Sequence, residues 1–161
     1  MGGNRFLREE DGEYDDIIWC QQCHLPRTND ISLSSEQELA IVAQGEKYGL
    51  IHREYFSTEG ARILFADVII CPCAYDTIYQ LHTGGDEGCF ISYLDGKCCL
   101  LRVFCDQFQD EDYVYCRQVT PCSYDHIACE DREAGLLALY RGKEAHLYSL
   151  RTLNMVKQDP Y

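Results

Sequence analysis

A chain of 161 residues has the length of one domain, and a hydrophobic share of 46% with 12% aromatics argues for a packed core rather than disorder. A net charge of −13, from 27 acidic against 14 basic side chains, repels phosphate backbones and anionic membrane surfaces, which disfavours direct nucleic-acid binding. No apolar run approaches the roughly 20 residues that a membrane-spanning helix needs.

Residues 1–16 carry six acidic side chains and few apolar ones, the composition of a flexible acidic lead-in, and a single domain is expected over 17–161. The opening FLREEDGEYDD has neither the basic start nor the apolar stretch of a secretory signal. The expected location is therefore intracellular, cytoplasmic or nuclear. The MGG start hints at myristoylation, but Phe6 stands where that signal takes Ser or Thr. Ile17 to Leu25 is more apolar, holds the sole tryptophan and is expected to dock on the core.

The next segment, SLSSEQELAIVAQGEKYGL, predicts a helix over 36–48. Ser35 and Glu38 have capping-box spacing, Leu39, Val42 and Ala43 share a stripe, and Gly49 can end a helix in a left-handed conformation. Gly45 weakens that helix. Strand-like texture follows. ARILFADVIICPC is a nearly continuous apolar run that Pro72 should end or place at a sheet edge. TIYQLH alternates briefly before the glycine-rich turn HTGGDEG, residues 82–88. In CFISYLDGKCCLLRVF, Asp95-Gly96 predicts a two-residue hairpin with Leu94 facing Lys97, Tyr93 facing Cys98 and Ser92 facing Cys99.

DYVYCRQVT reads as another strand. DREAGLLALYRG fits either a short helix or a strand leading to a turn at Arg141-Gly142, and AHLYSLRTL closes the domain as a strand. No internal repeat and no low-complexity linker stands out. The expected fold class is α+β: one main N-terminal helix packed on a mostly antiparallel sheet.

Eleven cysteines without an export signal read as reduced thiols, because disulfide frameworks accompany secretion. Cys20-Gln21-Gln22-Cys23-His24 matches the C-x-x-C-H pattern of haem attachment, but that chemistry needs export and a distal ligand with diagnostic spacing. It is also no redox pair, since Pro26 and a polar loop follow where a helix should start. Zinc is the more fitting cofactor. Cys116, Cys122, His126 and Cys129 offer three thiolates and an imidazole within fourteen residues, a Cys3His set, and Cys20 with Cys23 could supply half of a second site. The competing reading makes every one of them core, since free cysteine packs as a small hydrophobe. It fits Cys89, Cys98, Cys99 and Cys105 best, as they lie in apolar strands.

The order SLSSEQELAIVAQGEKYGL, ILFADVIICPC, TIYQL resembles the SUKH superfamily, which includes bacterial toxin-immunity proteins, fungal cell-wall regulators and regulatory proteins of large DNA viruses. Ile63 to Ile70 and Tyr79-Gln80-Leu81 stand where the viral branch has an apolar strand and a Tyr-x-Leu-like step. The resemblance covers residues 33–105 and matches no catalytic motif. It implies an α+β binding domain without catalysis, whose target varies from member to member.

The expected function is that of a non-enzymatic protein-binding regulator, a viral or immunity-type antagonist of a host or partner protein with a basic surface. Its binding surface would be led by carboxylates around 9–16 and 106–112, with Tyr113 and Tyr115 as aromatic anchors. The alternatives are a zinc-stabilised interaction module and, third, a thiol-dependent enzyme. No nucleophile elbow or P-loop lysine motif is present, and Asp86 and Glu87 in the glycine-rich stretch would repel a phosphate.

Overall fold

The computed structural model of the chain describes residues 14–30, 33–57, 60, 63–82, 88–152 and 154–156. Among them there is no helix, and hence none long and apolar enough to cross a membrane. The described residues form twelve strands in three four-stranded antiparallel sheets, each a meander of strands consecutive in sequence. The N-terminal sheet holds β1 (Asp16–Pro26), β2 (Ser34–Gln44), β3 (Lys47–Ser57) and β4 (Ile63–Tyr75). The middle sheet holds β5 (Thr77–Gln80), β6 (Cys89–Leu94), β7 (Lys97–Phe108) and β8 (Glu111–Gln118). The C-terminal sheet holds β9 (His126–Asp131), β10 (Leu136–Arg141), β11 (Glu144–Ser149) and β12 (Asn154–Val156).

The α+β expectation is thereby corrected, and with it the helix over 36–48. Those residues are β2, a tight turn and the first residues of β3. At the turn, Gly45 and Glu46 both have positive φ, 62° and 66°, as a two-residue hairpin connection demands and a right-handed helix forbids. Ser35 and Glu38, spaced like a capping box, fall on opposite faces of a strand. Leu39, Ile41 and Leu50 line one face while Ala40, Val42 and Ile51 line the other, so both faces are apolar and the period of two is masked. Gly49 ends nothing; it gives β4 room, since a Cβ there would meet the Cys71 carbonyl oxygen at 2.4 Å.

Other local expectations hold. Asp95-Gly96 turns β6 into β7 with Leu94 opposite Lys97, Tyr93 opposite Cys98 and Ser92 opposite Cys99. Pro72 lies in edge strand β4, where the register against β3 shifts. DREAGLLALYRG resolves into a turn and β10. Of the acidic lead-in, residues 1–13 lie outside the described residues, as does most of the HTGGDEG turn, whereas the Asp15 amide bonds the Ala43 carbonyl at 2.8 Å and Asp16 begins β1.

The sheets pack face on face, with the middle one covered on both sides. β7 shows this most clearly. Cys99, Leu101, Val103 and Cys105 enter a cluster with Cys20, Cys23, Leu25, Leu39, Ile41, Leu50 and Cys71 of the N-terminal sheet. Cys98 and Leu100, alternating with them, enter a second cluster with Ile127, Leu137, Leu139 and Tyr148 of the C-terminal sheet. A strand buried on both faces reads as a nearly continuous apolar run, which is what CCLLRVFC is, with the fully buried Arg102 as its one charged residue.

Candidate interaction surfaces

None of the eleven cysteines is in a disulfide, and Cys89, Cys98, Cys99 and Cys105 are fully buried, as the core reading expects. Of the proposed zinc ligands, Cys116 and Cys122 both pack on the first core cluster, whereas His126 and Cys129 lie away from them in β9. Cys116 faces the first core cluster and shares a hydrogen bond with Cys71. Cys122 bonds Cys99, whose sulfur lies 2.9 Å from Ser92 Oγ. Cys129 packs on the second cluster, whereas His126, three residues earlier in β9, projects from the other face and stacks on Tyr140. Cys20 and Cys23, on either side of a bulge in β1, are both buried in the first cluster. Among the described residues, no group of three or more His, Cys, Asp or Glu side chains is placed to hold a metal ion.

Five of the thiols are made reluctant acids by their surroundings. Burial, with the bond to Cys99, pushes Cys122 up to about 12, and burial also raises Cys98, Cys105 and the partly exposed Cys73. In the Cys71–Cys116 pair the shared hydrogen bond raises Cys116 and lowers Cys71. Burial raises Tyr75 as well, among the thiols of Cys99, Cys71, Cys122 and Cys116.

Two surfaces stand out. The first is the tip of the β7–β8 hairpin, where Gln109 and Asp110 take positive φ. Phe108 is 62% exposed and Tyr113 48% exposed, their rings in edge contact at 6.4 Å beside the exposed Asp110, Glu111 and Asp112. The tip is braced. Asp106 accepts from the Thr28 amide, the Thr28 hydroxyl and the Tyr115 hydroxyl, each at 2.8 Å. Burial raises the Asp106 carboxyl, but these bonds outweigh it and leave the group below its ordinary value. Asp112 takes bonds from Gln107 and Gln37. Tyr115, expected as an anchor, is thus a brace whose ring packs on Phe104, while Phe108, overlooked in the sequence, is the more exposed aromatic. The signal for it was available: the alternation of β7 carries past the last buried position to the turn.

The second is the outer face of the N-terminal sheet, closed at its centre, where Ala40, Val42 and Ile51 are buried with Tyr14, Ile17 and Cys73 packed against them and the Tyr14 hydroxyl donates to Asp67. Trp19, Ala40, Ile51 and Ile69 align across its four strands, with Ile17, Val42 and Gly49 in the row nearer the Gly45 turn. The row on the other side is charged: Glu38, Arg53 and Asp67. The Arg53 guanidinium lies over the rings of Phe65 and Trp19, 3.6 and 4.6 Å from their centroids. A groove of about 1090 Å³ runs past Trp19, Glu36, Glu38, Arg53 and Tyr55. Partial burial and a hydrogen bond to Glu38 raise Tyr55.

Comparison with protein-family models, with curated proteins and with solved structures finds no match.

Proposed function

We propose that the chain is a non-catalytic, intracellular protein-binding domain that docks a basic segment of its partner on the tip of the β7–β8 hairpin. One observation carries this reading: Phe108 and Tyr113 are held in mutual contact and open to solvent, beside three consecutive exposed carboxylates, on a hairpin fixed by the bonds to Asp106. Exposed aromatics on a braced support contribute contact area at little ordering cost, and surrounding carboxylates select and steer a cationic partner. The overall charge of −13 extends that steering beyond the tip.

The test is a screen of Lys- and Arg-containing peptides against the whole chain, followed by fluorescence anisotropy. The expected result is a selected peptide that binds more weakly as salt rises and loses roughly tenfold or more on Phe108→Ala with Tyr113→Ala. Peptides that bind the double variant as well as the parent would overturn the proposal, as would a screen that selects no basic peptide. Unchanged thermal unfolding of the double variant separates lost contact from lost fold.

A further inference from the structure

We infer that the basic segment of the partner binds as an added strand, hydrogen-bonded along the outer edge of β8 with its cationic end at the hairpin tip. This rests on the reading of that tip as the docking site and specifies how the site is used.

The backbone of β8 points two ways. Gln109 and Asp110, both at positive φ, form a two-residue turn, so Phe108 and Glu111 close the hairpin as a hydrogen-bonded pair. Hydrogen-bonded positions then recur at every second residue: Glu111, Tyr113, Tyr115 and Arg117 of β8 face Phe108, Asp106, Phe104 and Arg102 of β7. The bond from the Val119 amide to the Leu100 carbonyl, 2.9 Å, continues the same series. Asp112, Val114, Cys116 and Gln118 therefore aim their N–H and C=O groups away from β7. β8 is the last strand of its sheet, and among the described residues no strand pairs with that side.

Open edges are normally blunted by proline, a bulge, a lysine or shortness. The other edge strands carry such a feature. β1 has a bulge between Cys20 and Cys23, β4 has Pro72 and two register shifts, and β9 has an irregular register against β10. β5 and β12 have only four and three residues. β8 has none of these. It runs for eight residues against β7 without a break in register and contains neither proline nor lysine. Its centre, Tyr113-Val114-Tyr115, is made of residue types that favour strands.

Charge selects the occupant. Asp110, Glu111 and Asp112 stand exposed at the tip end of this edge and Arg117 near the other end. A strand with Lys or Arg beside the three carboxylates is drawn in, whereas a second copy of this chain, at −13, is repelled. Side chains of an added strand alternate between its two faces. One set falls beside Tyr113 and Tyr115, on the face that carries Phe108, and the other beside Asp112 and Val114. Main-chain bonds then supply affinity, and the rings and carboxylates supply selection.

The probe is a basic peptide selected on the whole chain, resynthesised with one backbone amide N-methylated at a time. A methyl group removes a donor and keeps strands apart. Sensitivity should alternate: methylation at every second position weakens binding roughly tenfold or more, and methylation between them has little effect. On the chain, amide exchange at Asp112, Val114, Cys116 and Gln118 should slow tenfold or more under saturating peptide, and far less at Tyr113 and Tyr115, already bonded to β7. Val114→Pro, which removes an outward N–H and none that bonds β7, should weaken the peptide roughly tenfold while unfolding stays cooperative. A peptide that depends on Phe108 and Tyr113 yet tolerates a methyl at every position overturns the added strand and leaves the tip as the docking site. Unchanged exchange at the four edge amides overturns it equally. Edge amides that become protected in the free chain as its concentration rises assign the edge to a second copy and overturn it. A screen that selects no basic peptide removes both readings.

Discussion

Arg53 and Asp67 grip each other across β3 and β4 through two bonds, Nε to Oδ1 at 2.6 Å and a terminal guanidinium nitrogen to Oδ2 at 2.9 Å, with side chains only 5% and 6% exposed. Such a pair contributes little net stability beside apolar residues of equal volume, yet breaking one half is costly. Asp67→Asn should therefore lower unfolding free energy by about 3–5 kcal/mol, because it leaves a buried cation with its countercharge removed. Arg53→Met with Asp67→Leu should cost much less than the single change. Urea unfolding of the three variants checks the order.

Acid should loosen the molecule where sheet meets sheet. Asp76 is held below the ordinary carboxylate value by the Lys47 bond and then by the Asp95 amide; Asp125 is held there by the Gly142 amide and then by Lys97. A carboxyl whose folded value is lowered stabilises the fold above its unfolded value of about 3.9, and that contribution disappears as pH falls through the folded value. Asp76→Asn with Asp125→Asn should flatten the acid limb of a plot of melting temperature against pH below about pH 4. Superimposable acid limbs for parent and variant would refute the assignment.

The turns at 45–46 and 95–96 differ in strain. Each carries one side chain at positive φ, Glu46 at 66° after Gly45 and Asp95 at 53° before Gly96, and aspartate tolerates the left-handed region better than glutamate. Glu46→Gly should raise stability by about 1 kcal/mol, because a Cβ in the left-handed region costs about that much. Gly49→Ala should do the reverse, by about 1–3 kcal/mol or more, since its new methyl would press on the backbone of Cys71, Pro72 and Cys73. Chemical denaturation reads both signs.

The thiols should be slow nucleophiles. With Cys98, Cys105, Cys116 and Cys122 raised and Cys71 almost fully buried, iodoacetamide near neutral pH should modify the folded chain far more slowly than the unfolded one. Mass spectrometry after timed labelling checks it. One site modified at the rate of a free thiol would revive the reading as a thiol-dependent enzyme.

Where one residue pair dictates local geometry, the sequence was legible. Asp95-Gly96 announced its hairpin and register, and the runs of β4, β7 and β8 announced strands. Legibility failed where two structures share a signature. β2 is buried on both faces toward its turn, so its apolar residues satisfy helical spacing as well as strand spacing, and Ser35 with Glu38 completed the disguise. The recurrence of Tyr, Asp and Ile in Tyr14–Ile17, Tyr75–Ile78 and Tyr124–Ile127, one at the start of each sheet, is faint because only three positions recur, at unequal intervals. Its meaning lies in bonds to turns about thirty or fewer residues away, which no local pattern displays. Cys116, Cys122, His126 and Cys129 are close in sequence but divided in space: Cys116 and Cys122 stay on the first interior, while the chain passes on to β9, where Cys129 packs on the second and His126 is exposed.

The double duty of β7 has a dynamic consequence. Because the clusters on its two sides share no residue but both are anchored on β6 and β7, loosening either outer sheet strips one flank of the same strands. The amides from Cys98 to Cys105 should therefore be the last to exchange with heavy water, opening only when the entire molecule does, while β1 and β12 breathe early at the two edges.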